Sequence, residues 1–239
     1  MIEFQPAPAS LPPGRRVYAI GDVHGCLDRL EALHAAIAAD LEARPTDSAM
    51  LIHLGDYIDR GPESAGVVER LAQAGPPAAG LTVVNLMGNH EYMMLRALTA
   101  EDEAAATRWI ANGGADTLHS WGVPRTAEPR DWPGHLPAKS LVFLRDLTLS
   151  HREGGYLFVH AGIRPGVPLA EQTRQDLLWI REPFLSWKGD LPAVVVHGHT
   201  PKPEPSVRPF RIGIDTGAVM GGVLTCAVLE GEQLGFLTA

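Results

Sequence analysis

The first half of the chain alternates short apolar runs with stretches in which apolar residues recur every three or four positions. The runs at residues 17–20, 50–54 and 81–86 have the length of buried strands. Between the first two runs, leucine and isoleucine spacing from Leu27 to Leu41 predicts an amphipathic helix, and Ala65 to Ala74 predicts a second helix. This β-α-β-α-β order predicts a parallel sheet with right-handed crossovers.

The middle of the chain has a different pattern. Helical spacing predicts helices at Tyr92–Leu98, Ala104–Ala111 and Ser140–Leu147, separated by glycine and proline and without a clear strand. We interpret residues 92–150 as a small helical insertion that caps a neighbouring site.

The second half of the chain is richer in strands, and its apolar runs predict them at residues 156–160, 193–196, 210–214, 223–229 and 234–237. We therefore expect an α/β fold in which helices flank two stacked mixed β-sheets. The proline- and alanine-rich residues 1–16 predict an extended N-terminal arm, and residues 17–239 a single domain that includes the cap insertion.

Composition narrows the function classes. Apolar residues make up 45% of the chain and charged residues 20%, which is typical of a globular protein. The formal net charge of −8 argues against general nucleic-acid binding, because that function requires a basic face. It does not exclude a phosphorylated substrate, because metals and arginines dominate the local electric field of a site.

Two cysteines, Cys26 and Cys226, are too few for a disulfide framework and favour a reducing compartment. The first residues lack the basic and apolar segments of a signal peptide, and no apolar run has the roughly 18 residues of a membrane span. We therefore expect a cytoplasmic protein with neither a membrane nor a nucleic-acid partner.

Five polar segments are the most informative feature, because nearly all of them follow an apolar run. Such segments lie at the carboxyl ends of strands, where open α/β sheets bind their ligands. The segments are Gly21-Asp22-Val23-His24-Gly25, Gly55-Asp56-Tyr57-Ile58-Asp59-Arg60-Gly61, Gly88-Asn89-His90-Glu91, Val159-His160-Ala161-Gly162 and His197-Gly198-His199-Thr200.

The residue types in these segments predict a metal site. Asp, His and Asn suit Mn²⁺, Fe²⁺ or Zn²⁺, and two such metals about 3.5–4 Å apart can clamp both sides of a phosphoryl displacement. Asp22 and His24 lie two positions apart, which places them on one side of a strand end, and Asp56 follows the next strand, where it can bridge two metals. The remaining candidate ligands are Asn89, His160 and His199.

The order of these motifs resembles the phosphoprotein phosphatase family of calcineurin-like metallophosphoesterases, and within it the bacterial and phage lambda-type serine/threonine phosphatases. The similarity covers most of residues 17–230, and it extends to Trp109, Asn112-Gly113-Gly114, Trp179-Ile180-Arg181-Glu182, Gly198-His199-Thr200-Pro201 and Ile214-Asp215-Thr216-Gly217-Ala218-Val219. The resemblance implies the calcineurin-like fold and hydrolysis of phosphate esters by in-line attack of a hydroxide that bridges two metals.

The resemblance also implies a role for each metal ligand. One metal would be held by Asp22, His24 and Asp56, and the other by Asp56, Asn89, His160 and His199. Mn²⁺ is the first expectation, and the same mixed nitrogen and oxygen ligands accept Fe²⁺, Zn²⁺ or Co²⁺.

Further residues acquire catalytic and substrate-binding roles from the resemblance. His90 matches the general acid, and Asp59 matches the carboxylate that orients it. Arg60 and Arg181 match groups that bind phosphate, because guanidinium forks suit phosphoryl oxygens. Arg164 is a further substrate-binding candidate, with a solvated loop arginine as the alternative, and Asn89 is expected to contact substrate as well as metal.

Three other polar residues are expected to support the site. We expect His197 to be a core or supporting histidine, His53 to be structural, and Asp215 to brace a loop at the rim of the site.

Three functions compete at this point. A phosphatase acting on phosphoserine and phosphothreonine is favoured by Asp59, since the symmetrical diadenosine tetraphosphate hydrolases of this fold typically lack an acidic residue there. Hydrolysis of diadenosine tetraphosphate is the alternative, and it is favoured by the segment Val159-His160-Ala161-Gly162-Ile163, which resembles that of the symmetrical hydrolases. A catalytically inactive scaffold is the third, and the presence of all expected ligands argues against it. The expected partners are a phosphorylated protein or a small phosphate ester.

Overall fold

The computed structural model of the protein describes residues 2–99 and 103–239. The strands are β1 (Gln5–Pro6), β2 (Arg15–Ile20), β3 (Ser48–His53), β4 (Leu81–Asn85), β5 (Ser150–Glu153), β6 (Tyr156–Val159), β7 (Val194–His197), β8 (Ser206–Arg208), β9 (Arg211–Gly213), β10 (Thr225–Glu230) and β11 (Gln233–Thr238). The helices are α1 (Leu27–Ala43), α2 (Ser64–Gln73), α3 (Asn89–Ala97), α4 (Glu103–Trp109), α5 (Ala115–Ser120), α6 (Ala138–Asp146) and α7 (Arg174–Trp179). A π-helical turn at Ile110–Gly114 joins α4 to α5.

The strands form two mixed sheets, as the sequence predicts. The six-stranded sheet has the order β1-β11-β10-β2-β3-β4, and the five-stranded sheet has the order β5-β6-β7-β9-β8. Strands β2, β3 and β4 run parallel to one another, as do β6, β7 and β9. The carboxyl ends of the parallel strands in each sheet therefore meet at a common edge, which is where the polar segments lie.

An apolar cluster lies between the two sheets, and further clusters cover their outer faces. In β2, Val17 and Ala19 belong to the cluster between the sheets, whereas Tyr18 and Ile20 belong to the cluster shared with the helices. The strand is apolar on both faces because it is buried on both faces. This burial explains why β2 appears in the sequence as a continuous apolar run without polar alternation.

The predicted elements are confirmed except at the edges of the sheets. The expectation that residues 92–150 contain no strand was wrong at its end, because β5 begins at Ser150. Its residues are polar and half-exposed, so they lack the alternation that signals a strand. The three-residue β8 and the six-residue α7 are too short for a periodic signal.

The predicted N-terminal arm, residues 1–16, is too long by two residues, because Arg15 and Arg16 already pair within β2, and its described part lies against the six-stranded sheet. β1 pairs with β11, and the backbone amides of Ala7 and Leu11 each donate to the turn after β10 at 2.9 Å. Leu11 is only 5% exposed and joins the cluster between the sheets. Within the described ranges, no helix combines the length and the apolar character that a membrane span requires.

A buried pair of histidines joins α1 to the six-stranded sheet. The Nε2 atoms of His34 and His53 lie 3.0 Å apart, and His53 Nδ1 lies 2.8 Å from Asn85 Oδ1. Burial lowers the pKa of His34 to about 4 and that of His53 to about 3. Both imidazoles are therefore neutral in the folded protein at pH 7, as the structural role expected of His53 requires.

This pair makes stability sensitive to acid. Between pH 6.5 and pH 4 the unfolded chain binds more protons than the folded one, so the free energy of unfolding falls as the pH is lowered. We expect each buried imidazole to contribute a loss of about 2 kcal/mol between pH 6.5 and pH 5. Urea unfolding at both pH values is expected to show a smaller loss in His34→Gln than in the unaltered protein. An equal loss in the two proteins would contradict it, and His119→Gln, an exposed change, is the control.

Candidate metal centre

The polar segments converge where the two sheets present the ends of their parallel strands. Asp22 follows β2, Asp56 follows β3, Asn89 opens α3 after β4, His160 follows β6 and His199 follows β7. All of these except the fully buried His160 line a cavity of about 720 Å³, which we call the central cavity. The six predicted ligands, His24 included, therefore lie at one edge of the fold.

The backbone is strained at this edge. Positive φ angles occur at five non-glycine residues: His24 (43°), Asp56 (53°), Asp59 (74°), Arg60 (68°) and His199 (64°). Such a conformation costs of order 1–3 kcal/mol per residue and persists only where the surroundings fix it. Asp22 and His24 line the same cavity, which is where their two-residue spacing placed them, although the backbone at His24 is not that of a strand.

One group of candidate metal-binding atoms consists of His24, Asp56 and His90, whose donor atoms all lie within 4.8 Å of one another. His24 Nε2 lies 3.5 Å from Asp56 Oδ2, and His90 Nε2 lies 3.9 Å from the same oxygen. The sequence predicted Asp22, rather than His90, as the third member of this group. The structure brings His90 there because α3 starts at Asn89 and turns the imidazole back toward Asp56.

The second group consists of Asp56, His160 and His199. His160 Nε2 lies 3.4 Å from Asp56 Oδ2. Asn89 Oδ1 lies 2.8 Å from His160 Nε2 and 2.9 Å from His199 Nδ1, so the amide oxygen points at the same centre. All members of the predicted second ligand set are therefore brought together, and Asp56 belongs to both groups.

Asp22 lies beside the groups rather than within them. Its two carboxylate oxygens accept the backbone N–H of His199 at 3.2 and 3.0 Å, and its side chain lines the central cavity. A Cβ on Gly198 would collide with this carboxylate, and a Cβ on Gly88 would collide with that of Asp56. Glycine is therefore required at both positions for the carboxylates to reach the cavity.

Two of the imidazoles are oriented by backbone carbonyls. His24 Nδ1 lies 2.8 Å from the oxygen of Ile58, and His160 Nδ1 lies 3.0 Å from the oxygen of Leu54. A carbonyl at Nδ1 fixes the tautomer with the proton on that atom, which leaves Nε2 as a lone-pair donor toward the cavity. This is the arrangement in which histidine binds a metal.

The charge states of the buried side chains suit the binding of divalent cations. Burial raises the pKa of Asp22 well above its usual value, and the nearby carboxylate of Asp215 raises it further. Burial would also raise the pKa of Asp56, but the surrounding imidazoles, led by His160, hold it well below its usual value. Burial lowers the pKa of His24 to about 4 and that of His199 to about 3, so both are neutral donors at pH 7. Against the effect of burial, the carboxylate of Asp56 raises the pKa of His160 to about 10, so this imidazole must release a proton when a metal binds at Nε2. Buried carboxylates beside imidazoles are a donor set for divalent metals.

His90 also forms a buried pair with Asp59, which the sequence predicted. His90 Nδ1 lies 2.6 Å from Asp59 Oδ2, and the two carboxylates of Asp56 and Asp59 raise the pKa of His90 against the effect of burial. Two partners of Asp59 had no predicted role. Trp109 Nε1 donates to both of its oxygens at 3.0 and 2.9 Å, and Thr117 Oγ1 donates to one at 2.6 Å.

Glu91 is a further residue whose role the sequence did not indicate. Its carboxylate accepts the backbone N–H of Asp56 at 2.9 Å, of Tyr57 at 2.8 Å and of Gly88 at 2.8 Å. It therefore fixes the loop after β3 to the start of α3. The only available signal was its position three residues into a helix, where a carboxylate commonly caps backbone donors.

Three arginines of the prediction line the central cavity. Arg60 Nη1 lies 3.1 Å from His24 Nε2, and Arg181 is exposed at the mouth. Arg164 Nη2 lies 2.6 Å from Asp176 Oδ1, so its guanidinium is already paired. The central cavity therefore presents guanidinium groups as well as carboxylates to a bound molecule.

The supporting residues have partners of their own. His197 is buried with its ring 5.1 Å from that of Phe184, and it belongs to neither metal-binding group. Asp215 Oδ1 accepts the backbone N–H of Gly217 at 3.0 Å, which braces the loop at the rim of the cavity.

Two mixed sheets with a dinuclear set of His, Asp and Asn donors at their common edge define a metal-dependent hydrolase of phosphate esters. The family described as calcineurin-like phosphoesterase matches residues 15–222, and the chain belongs to this family. The protein is therefore a metallophosphoesterase, and its two groups of His and Asp donors fit a dinuclear metal site.

Similar proteins differ in the substrate that their names give. Serine/threonine-protein phosphatase 1 of Salmonella typhimurium is 31% identical over 226 residues, which cover 90% of this chain and 93% of the relative. A symmetrical bis(5'-nucleosyl)-tetraphosphatase of Dechloromonas aromatica is 35% identical over 155 residues, 62% of this chain and 44% of the relative. A crystal structure of a putative diadenosine tetraphosphatase superposes with a TM-score of 0.66 at 24% identity and covers 97% of this chain and 98% of that one, which shows the shared fold.

Proposed function

We propose that this metallophosphoesterase is a phosphomonoesterase that acts on phosphoserine and phosphothreonine. The observation that carries the proposal is the buried pair of His90 and Asp59, whose atoms lie 2.6 Å apart. The alkoxide of serine or threonine is a poor leaving group, and it departs readily only when an acid protonates it. An imidazole whose pKa is raised by neighbouring carboxylates keeps a proton for that step.

The support around Asp59 strengthens this argument. Trp109 and Thr117 hold both carboxylate oxygens, so Asp59 has one orientation in which to fix the His90 ring. A nucleotide leaving group departs as a stable anion and needs less protonation than an alkoxide. A rigidly held acid is therefore more useful to an enzyme that cleaves alkyl phosphate esters.

The metals and the arginines complete the proposed site. When bound, the two divalent cations supply Lewis-acid stabilisation of charge on the phosphoryl oxygens. We propose that both metals are Mn²⁺, with Fe²⁺, Zn²⁺ or Co²⁺ as alternatives. One would be held by Asp22, His24 and Asp56, and the other by Asp56, Asn89, His160 and His199. Arg60 and Arg181 bind the remaining phosphoryl oxygens, Arg164 and Asn89 contact the substrate, and residues 92–150 cap the site.

The Arg60→Ala variant is expected to bind inorganic phosphate and vanadate about tenfold more weakly, because a charge-assisted hydrogen bond contributes about 1.5–3 kcal/mol. The measurement is the inhibition constant of each anion against p-nitrophenyl phosphate. Arg125→Ala, an exposed change that lines no part of the central cavity, is the control. Inhibition constants equal to those of the control would remove Arg60 from the site.

Symmetrical hydrolysis of dinucleoside tetraphosphates is the second candidate. Similarity favours it, because relatives with that name match at up to 35% identity and the Val159-His160-Ala161-Gly162-Ile163 segment agrees with it. The match to the Dechloromonas aromatica relative covers only 44% of that protein's length, whereas the match to the phosphatase covers 93% of its length. The His90–Asp59 pair and the coverage of the phosphatase relative favour the first candidate, whereas the number of relatives named as tetraphosphatases favours the second.

One assay separates the candidates. The Mn²⁺-loaded protein is incubated with a phosphothreonine peptide, a phosphotyrosine peptide and diadenosine tetraphosphate, with Asp56→Asn as the blank. Turnover of the phosphothreonine peptide well above the blank, with little cleavage of the nucleotide, supports the phosphatase. Preferential cleavage of the nucleotide into two diphosphates supports the second candidate and contradicts the first.

A further inference from the structure

A second cavity opens directly beside the central one. It has a volume of about 450 Å³ and is lined by Tyr92, Met93, Arg96, Ala105, Arg108, Gln175 and Trp179; we call it the side cavity. Gln175 and Trp179 line both cavities, and the ring of Trp179 lies 6.2 Å from that of His199. A substrate bound at the metal centre can therefore extend past Trp179 into the side cavity.

The side cavity is basic, although the chain as a whole carries a net charge of −8. Arg108 of α4 lines it, and Arg174 of α7 lies with its guanidinium carbon 5.4 Å above the ring of Tyr92, which forms part of the wall. None of the described residues that line the side cavity is acidic. Guanidinium groups at the wall of such a cavity complement an anionic group.

Arg108 is held in a fixed relation to the proposed catalytic residues. Its carbonyl accepts the side-chain amide of Asn112 at 2.8 Å, and Asn112 lines the central cavity. The next residue on α4, Trp109, donates to Asp59, and the carbonyl of Gly113 accepts the backbone N–H of Arg60 at 3.3 Å. Residues 108–113 are therefore hydrogen-bonded to Asp59, the partner of His90, and to Arg60 of the central cavity.

We propose that Arg108 and Arg174 bind a second anionic group of the substrate, so that the enzyme selects phosphate esters with another negative charge near the scissile phosphate. This proposal rests on the proposed function only in that the site hydrolyses phosphate esters, and it names a substrate class for that site. The second anion is the carboxylate of an acidic residue beside a phosphothreonine, or a further phosphate of a polyphosphate. Guanidinium groups bind both through charge-assisted hydrogen bonds.

The test measures, for each variant, the kcat/KM of a more anionic substrate divided by that of a less anionic one. The first substrate pair is two phosphothreonine peptides that differ only in carrying Glu or Gln around the phosphothreonine, and the second pair is diadenosine tetraphosphate and p-nitrophenyl phosphate. Arg108→Gln and Arg174→Gln are each expected to lower the preference for the more anionic substrate about threefold to tenfold, mainly through KM. Arg125→Gln, which lines neither cavity, is the matched control. Because each ratio compares two substrates on the same preparation, a smaller fraction of folded protein lowers both values equally and leaves the ratio unchanged.

A fall in the ratio for the peptide pair, or for the nucleotide pair, supports the proposal and identifies the source of the second anion. The preference of the unaltered protein should also shrink from 0.1 M to 1 M salt, where the screening length falls from about 10 Å to about 3 Å. Ratios in both arginine variants equal to those of Arg125→Gln, for both pairs, would overturn the proposal. If the unaltered protein turned over none of these substrates, p-nitrophenyl phosphate included, the proposed function itself would fail.

Discussion

The Asp56→Asn variant is expected to lose both metals and nearly all activity. Asp56 is the residue that the two groups of donors share, and its Oδ2 lies 3.5 Å from His24 Nε2 and 3.4 Å from His160 Nε2. Replacing the carboxylate with an amide removes the negative charge that two cations would share. Two metals stabilise a phosphoryl transition state by several kcal/mol, so we expect turnover of p-nitrophenyl phosphate to fall at least about 10³-fold.

Metal content gives this prediction a readout that does not depend on activity. Binding of Mn²⁺ is measured by calorimetry, and the metal retained after gel filtration is measured by mass spectrometry. Asp116→Asn, a change at an exposed position of α5, is the matched control. If the Asp56→Asn variant retained two metals and near-normal turnover, Asp56 would not bridge them. Thermal unfolding of both variants separates loss of metal from loss of fold.

The sequence predicts the sheets because their central strands are buried on both faces. The apolar runs of β2, β3 and β10 remain visible without any knowledge of their neighbours, since all but one residue of each strand is buried. Edge strands behave differently, because only one of their neighbours contributes to burial. β5, with half-exposed polar residues, and β8, with three residues, are defined by pairing with β6 and β9 rather than by their own pattern.

The sequence predicts the residues of the candidate site that directly follow strands. It does not predict contacts between residues that are far apart in the chain. Asp22 and Asp56 could be placed together because they follow neighbouring parallel strands of one sheet, whereas the resemblance was needed to bring His160 from the other sheet beside them. The contacts of Trp109 and Thr117 with Asp59 join residues 50 and 58 positions apart, and no local pattern signals them. The positive φ angles at the site are equally invisible, because non-glycine residues adopt them only when surrounding structure imposes them.

The position of His90 shows the limit of reasoning from adjacency. His90 follows Asn89 directly, and adjacency alone suggests side chains that point apart. In the structure, α3 starts at Asn89, and the first turn of the helix directs both side chains into one cavity. His90 Nδ1 contacts Asp59, while Nε2 faces Asp56, so the ring offers one nitrogen to the acid pair and the other to the centre of the site.

The His90→Asn variant separates the two roles that this geometry allows. We propose that His90 is the general acid, so the variant is expected to retain its metals and to lose about 10²–10⁴ in kcat on a phosphothreonine peptide. The loss should be much smaller on p-nitrophenyl phosphate, because p-nitrophenolate leaves without protonation. Asp59→Asn is expected to show the same pattern as His90→Asn, with a larger loss of kcat on the peptide than on p-nitrophenyl phosphate. The reason is that the carboxylate orients the imidazole and keeps it protonated.

The measurement is kcat for both substrates together with bound metal per chain. His119→Asn, at an exposed position of α5, is the matched control. Equal losses on the two substrates with two metals retained would contradict the general-acid role. Loss of one metal would instead assign His90 Nε2 to the group formed by His24 and Asp56, and Asp22 would then be left to fix the backbone N–H of His199. Leaving-group dependence and metal content together therefore decide whether Nε2 of His90 donates a proton or binds a metal, while Nδ1 is held by Asp59 in both cases.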